Sequence, residues 1–214
     1  MGKPVKAAVA GAPRPRRSQA ERRAESDQSL LKAAAELMSN QGYGATTLEQ
    51  IGLRAGYSRG LVTQRFQSKE GLVVALVELL HREFAAATFG NPAAHDTGRA
   101  AILSAIEYYM AHLTGDLAQL RAYFVLMSES IGVIPEIRGA FVAANRQFRD
   151  HLREKLLEGQ ADGSIAPDLD ADKAANALMS LVTGHTLICL VDPDFTDPDH
   201  ARQDMIAVAT RLLN

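Results

Sequence analysis

Thr46-Thr47-Leu48-Glu49-Gln50-Ile51-Gly52-Leu53-Arg54-Ala55-Gly56-Tyr57-Ser58-Arg59-Gly60-Leu61-Val62-Thr63-Gln64-Arg65-Phe66 reads as two short helices around a tight corner. Thr47 is suited to open the first by accepting backbone N–H groups, and Leu48, Ile51 and Ala55 give it one apolar face. At Gly56 the chain turns on a residue without a Cβ. Ser58 opens the second helix, whose inner face is Leu61, Val62 and Phe66. Arg59, Gly60, Thr63 and Gln64 are left outward, on a rod slim enough for a DNA major groove about 12 Å wide. Arginine offers paired hydrogen bonds to a guanine edge, glycine permits close approach, and a threonine methyl can pack on the thymine methyl. Arg65 and Lys69 follow at the far end, where a cation neutralises phosphate and fixes register without reading sequence.

The rest of the chain is helical in pattern, with no sustained strand-like alternation, so the fold class is all-α. Ser18 and Glu21 have the spacing of a capping box opening a first helix, whose stripe is Leu30, Ala33, Ala34, Leu37 and Met38. Gly42 and Gly44 are expected to end it. Ser68-Lys69-Glu70 opens a longer helix that carries Leu72, Ala75, Leu76, Leu79, Leu80 and Phe84 to a break at Gly90-Asn91-Pro92. Further helices are expected near 98–113, 117–131, 136–160, 170–190 and 200–213. Gly115-Asp116, Gly132 with Pro135, Gly163 with Pro167, and Pro193 with Pro198 mark the joints.

The net charge of −2 conceals a division. Residues 1–70 hold twelve Lys and Arg against six Asp and Glu, whereas residues 71–214 hold eleven against nineteen. A basic first third on an acidic body suits an end that meets a polyanion, although such an imbalance also serves simply to keep a surface solvated. No apolar run is read as reaching the ~20 residues that span a bilayer, and the Pro- and Arg-bearing start lacks the apolar core of a signal peptide. The expected compartment is the cytoplasm, with no membrane partner. Cys189 is the single cysteine, which excludes an intrachain disulfide or a cysteine-rich zinc site.

Gly42-Tyr43, Thr46-Thr47, Ile51, Ala55-Gly56, Ser58, Gly60, Phe66 and Ser68-Lys69-Glu70-Gly71-Leu72 together resemble the DNA-binding domain of the tetracycline-repressor (TetR) family. The match runs from about residue 25 to 75, and Asp168-Leu169-Asp170-Ala171-Asp172 ahead of a helix is compatible with that family's regulatory domain. Residues 1–20, poor in apolar residues, are expected to be a disordered basic arm, and the resemblance implies a three-helix helix-turn-helix head over 21–70. A larger helical domain for ligand binding and dimerisation then follows over 71–214. It also implies a homodimer on double-stranded DNA with a palindromic operator, most simply a repressor released by a small-molecule effector. The implied DNA-binding residues are Thr47, Ser58, Arg59, Gly60, Thr63, Gln64, Arg65 and Lys69, with Thr47 and Lys69 on the backbone and Arg59, Gly60 and Thr63 in the groove. The sequence departs from the family pattern at Thr63, where Tyr is usual, and at Arg65, where His is frequent. Gly52 stands where Ala is common and is expected to loosen its helix by up to ~1 kcal/mol.

Two other groups of residues have competing readings. Tyr108, Tyr109 and His112, then Tyr123, Phe124 and Met127, then Phe141 and Phe148 either pack a plain core or enclose an apolar cavity. Under the second reading Tyr108, His112, Phe124, Met127, Phe141 and His185 are the candidate effector contacts, and the effector is largely apolar or aromatic. His185 and Cys189 share a helix face but are too few to hold a metal, so neither metal nor cofactor is expected. Leu178, Leu181, Val182 and His185, with Met205, Ile206, Ala209, Leu212 and Leu213, either bury in their own domain or form half of a two-fold interface. An effector-independent architectural DNA binder remains an alternative. An all-helical enzyme lacks any nucleophile with its base or paired catalytic carboxylates.

Lys3, Lys6, Arg14, Arg16 and Arg17 of the leader, with Arg22 and Arg23, suit either a minor-groove arm or a solubilising tail. If they form an arm, deleting residues 2–17 lowers duplex affinity and flattens its salt dependence in a titration series. Identical binding at every salt concentration would leave the tail reading.

Overall fold

The computed structural model describes residues 18–91, 95–112, 117–195 and 197–214. Among them are nine α-helices and no strand: α1 Gln19–Ala45, α2 Leu48–Ala55, α3 Arg59–Phe66, α4 Lys69–Phe89, α5 Gly98–His112, α6 Ala118–Gly132, α7 Arg138–Asp162, α8 Ala171–Val191 and α9 Pro198–Leu212. A 3-10 turn at Pro135–Ile137 leads into α7. Most of the leader cations, Pro92 and Gly115-Asp116 lie outside the described residues.

Local chemistry sets the helix starts. Ser18 Oγ accepts from the Glu21 N–H at 3.1 Å, and Glu21 returns the contact to the Ser18 N–H at 2.6 Å. Thr47 and Gln50 form a second such box, which the sequence reading missed. Ser58, Ser68, Asp170 and Asp197 cap α3, α4, α8 and α9, and Pro198 supplies the fixed φ of a first helical position. Gly56, at φ 80° and ψ 24°, closes α2 in the left-handed conformation.

α1 departs from expectation. It runs past Gly42 to Ala45, but Gly42 itself is non-helical, at φ 74° and ψ 176°. Only glycine occupies that region readily, so the glycine kinks the helix and redirects its last turn. Gly52 also differs from the sequence reading. It is buried, and a Cβ there would meet Tyr57 O at 2.9 Å and the Arg59 backbone nitrogen at 3.1 Å. The missing side chain is thus the spacing between α2 and the start of α3, rather than a loose point in α2.

Two cores result. The first joins Leu30, Ala34 and Met38 of α1, Ile51 of α2, Val62 of α3, Leu72 and Leu76 of α4, Leu126 of α6, and Ile137 with Phe141 at the start of α7. α1 packs more extensively on α6 than on its neighbours in the head. The expected division at residue 70 therefore falls inside a shared core, two residues into α4. The second core collects Ile102 and Ile106 of α5, Leu152 and Leu156 of α7, Leu178 and Val182 of α8, and Met205 and Ala209 of α9. Arg99 ties its ends together, donating to Thr210 O at 3.3 Å and to Asn214 Oδ1 at 2.7 Å.

One expectation about apolar runs fails. α8 is long and apolar enough to cross a bilayer by length and composition. Ala174, Ala175, Leu178, Val182 and Thr186 bury one face of it, while Leu187, Ile188 and Val191 are exposed.

Replacing Gly42 by Ala is expected to lower unfolding free energy by about 1–3 kcal/mol, because its backbone conformation disfavours a Cβ. Gly44, where a Cβ would meet nothing within 4 Å, is the control. Urea denaturation of both variants checks this, and equal effects at the two positions would contradict it.

Candidate nucleic-acid interface and ligand cavity

The corner between α2 and α3 is fixed by backbone bonds. Gly56 N–H donates to Leu53 O at 3.1 Å and Tyr57 N–H to Gly52 O at 2.8 Å. Ser58 Oγ then accepts from Leu61 N–H at 3.3 Å, starting α3 at once. Val62 is fully buried against the first core, with Leu61 and Phe66 beside it. This anchoring leaves Ser58, Arg59, Gly60, Thr63 and Gln64 exposed, with Thr47 exposed at the head of α2. The Thr63 hydroxyl donates back to Arg59 O at 3.2 Å, so its methyl and lone pairs are what it can offer a base.

The two cations expected at the far end are turned inward. Arg65 Nε lies 3.2 Å from Asp27 Oδ1 on α1, an ionic contact without hydrogen-bond alignment, and its side chain is largely buried. Lys69 Nζ donates to Tyr43 O and to Thr46 O, each at 2.8 Å, and lies 3.9 Å above the Tyr43 ring. It closes the carbonyl end of α1, a role that its position after the Ser68 cap did not reveal. Burial lowers its pKa, against the raising effect of Glu70 and Glu129.

Tyr43 is the centre of this junction. Its N–H donates to Glu129 Oε2 of α6 at 3.1 Å, and its hydroxyl makes a short hydrogen bond to Glu70 Oε1 of α4. Burial first, and then the Glu70 bond, push the phenol pKa far up, so the hydroxyl remains a donor. The same bond, with help from the Glu70 backbone and Ser68, lowers the pKa of Glu70.

Behind the junction is a cavity of about 250 Å³. α4 contributes Leu80, His81, Glu83 and Phe84, and α5 contributes Tyr108 and Tyr109. α6 adds Gln119, Leu120, Tyr123, Phe124 and Met127, while Ala144, Asn145 and Phe148 of α7 and Met179, Val182 and Thr183 of α8 complete the wall. Tyr108, Phe124 and Met127 thus stand where a cavity would need them. Phe141 does not: one helical turn nearer the head than Asn145, it is buried in the first core with its ring 5.2 Å from Tyr123. His185 also lies off the cavity. Two residues beyond Thr183, it faces nearly the opposite side of α8, where its Nε2 meets Cys189 Sγ at 3.3 Å and its ring meets Phe195. Burial lowers the His185 pKa and raises that of the thiol. The side chain of His112 lies outside the described residues. His81, Phe84 and Asn145 were missed as lining residues, although the signal was present. His81 interrupts the apolar face of α4 beside Leu80, and Asn145 interrupts the Phe141–Phe148 stripe at helical spacing.

Residues 30–76 match the model of bacterial regulatory proteins of the tetR family, and residues 98–214, more than half the chain, match the C-terminal model of BetI-type transcriptional repressors. The chain belongs to the TetR family. It is a DNA-binding transcriptional repressor. A TetR-family relative in Mycolicibacterium smegmatis, the HTH-type transcriptional repressor KstR2, is 30% identical over 145 residues, covering 67% of this chain and 69% of that protein. NalD, the secondary repressor of the MexAB-OprM multidrug efflux pump in Pseudomonas aeruginosa, shares the TetR fold with a TM-score of 0.72 at 23% identity, covering 90% of this chain and 98% of its own. The fatty acid degradation regulator FadR of Bacillus halodurans has a TM-score of 0.77 at 16% identity, covering 86% and 94%. In this TetR-family chain, the head and the cavity share α4 and α6 as walls and supports.

Tyr43→Phe removes a hydrogen bond to a charged group and is expected to cost about 1–2 kcal/mol at pH 7. The Glu70 pKa is lower in the folded state. Its contribution is therefore present above the unfolded carboxylate value near ~4.3 and fades as pH falls through the folded value. The gap between wild type and variant should shrink below about pH 4 in chemical denaturation. A gap of constant size down to pH 3 would show that the hydroxyl does not act through the Glu70 carboxylate.

Proposed function

We propose that two copies of the chain present their α3 helices to successive major grooves of a palindromic duplex, and that a small molecule entering the cavity releases them. The observation that carries this reading is that both helices gripping Tyr43 also wall the cavity. α6 lines it with Tyr123, Phe124 and Met127 and, two residues on, holds the Tyr43 N–H through Glu129. α4 holds the Tyr43 hydroxyl through Glu70 and, eleven residues or about 16 Å further along, lines the cavity with His81 and Phe84. A molecule that displaces either wall must therefore move the support of the head.

Arg59 and Gln64 read base edges in this account, Gly60 and Thr63 allow close approach, and Thr47 with Ser58 meets the phosphate backbone at two helix starts. Arg65 and Lys69 act mainly by holding α1, α3 and α4 in register, with phosphate contact a secondary use. Support for a dimer comes from exposed apolar side chains on the last two helices and the loop between them: Leu187, Ile188, Val191, Phe195 and Val208. Their burial against a second copy gives the two heads a fixed separation, which a two-fold operator requires. By linkage, an effector that weakens operator binding 100-fold binds the DNA-free dimer 100-fold more tightly, a coupling of about 2.7 kcal/mol.

Duplexes selected from a random pool by the full chain should share a two-fold motif. On that motif, Arg59→Ala is expected to cost ~1–3 kcal/mol and to relax preference at one base pair in each half. A uniform loss on every sequence would assign Arg59 to the backbone, and selection of no motif at all would remove the proposal.

A further inference from the structure

Among the described residues, the cavity wall has one fixed charge. Glu83 is exposed, and no lysine or arginine among them lines the space. His81 supplies no cation either: burial, reinforced by nearby His151, lowers its pKa and keeps the ring neutral at neutral pH. A carboxylate or phosphate brought here would lose its hydration without a counter-charge, which costs far more than apolar contacts return. A cation fares little better. The only opposite charge among the described lining residues is solvated, and an aromatic face attracts a cation placed over it only where that face is open. Phe84 instead makes edge contacts with Tyr108, Tyr109 and Phe148 at ring separations of 6.0, 5.5 and 5.4 Å, so the wall rings already occupy one another.

The other polar groups on the described wall are neutral: His81, Gln119, Asn145, Thr183 and the tyrosine hydroxyls, with His81 Nε2 buried and without a hydrogen-bond partner among the described residues. The Tyr109 hydroxyl is engaged with Thr186, and burial raises its pKa to about 12. Tyr123 is held protonated by burial, and its hydroxyl donates to Asn145 Oδ1 at 3.5 Å. That bond uses the acceptor side of the Asn145 amide and leaves its two N–H donors to meet an oxygen. Edge-on aromatic walls of this kind favour flat ring systems over flexible chains, because a ring buries large area at little entropic cost.

We propose that the cavity takes an uncharged, ring-bearing molecule with a carbonyl or hydroxyl oxygen, and that Asn145, held by Tyr123, is the residue that reads that oxygen. This rests on the reading of the cavity as the effector site. Asn145 belongs to α7 and Tyr123 to α6, so a ligand oxygen on Asn145 reaches the helix that supports the head through the Tyr123–Asn145 bond.

The test uses the full chain with three probes on one skeleton: 2-acetylnaphthalene, 2-naphthoate and 2-naphthylmethylammonium, with naphthalene as reference. Binding is followed by titration calorimetry and thermal unfolding, and duplex release is followed in parallel. The ketone is expected to bind at least tenfold more tightly than either ion. Asn145→Leu should reduce ketone affinity at least fivefold and leave naphthalene affinity within twofold, a split that a folding defect would not produce. Equal or tighter binding of the carboxylate or the ammonium overturns the ligand class and leaves the effector site standing. Ketone binding in the cavity with unchanged duplex affinity supports the ligand class and removes the effector reading. Ketone binding unaffected by Asn145→Leu overturns the role of Asn145, and no binding by any probe overturns class and site together.

Discussion

The kinked end of α1 is held by three polar contacts to Tyr43 and one glycine that allows the kink. Without Gly42 at φ 74°, the helix would continue straight and Tyr43 would not meet α4 and α6 together. With it, the tyrosine N–H, carbonyl and hydroxyl each find a partner on α6 or α4: Glu129, Lys69 and Glu70. Every partner is charged, so each bond is stronger than a neutral one. Each also lies in a setting only partly withdrawn from water, where its net contribution is a small number of kcal/mol. This balance suits a joint that must hold one geometry yet give way to a modest force.

Packing connects the cavity wall to the joint. The first core extends continuously from Met38 and Val62 in the head to Leu126 and Phe141 in the body. Close-packed interiors do not deform gradually, so a wall helix that shifts carries its neighbours with it. The cavity draws its wall from both cores, with Ala144, Leu80, Tyr123 and Met127 in or beside the first and Val182, Tyr109, Phe148 and Met179 in or beside the second.

Much of this was legible beforehand, and the rest was not for physical reasons. The corner at Gly56, the Ser58 cap and the buried face of α3 follow from local backbone chemistry, which sequence spacing encodes directly. The later helices were bounded to within two residues or so for the same cause, since Gly, Pro and Asp at joints act locally. Arg65, Lys69 and Phe141 resisted reading because their partners, Asp27, Tyr43 and Tyr123, are remote in sequence. A cation near the end of a recognition helix looks the same in sequence whether it faces phosphate or a carboxylate behind it. Polar residues set in an apolar stripe, such as His81 and Asn145, were readable signs of a cavity. Their spacing alone could not tell a lining residue from one buried in a polar pair.

The inward engagement of these cations has a consequence for how DNA would be held. On α2 and α3, Arg54 and Arg65 are both drawn to carboxylates of α1, Glu36 and Asp27, whereas Arg59 has no such partner among the described residues. A helix seated in a groove with its other cations neutralised from behind contributes little counterion release of its own. Its affinity then depends more on hydrogen bonds and fit at base edges, which vary with sequence, than on attraction to any backbone. Of the other cations among residues 1–70, Arg22, Arg23 and Lys32 are exposed on α1. On the proposed reading, a small tilt of α3 would therefore act first on the part of binding that varies with sequence.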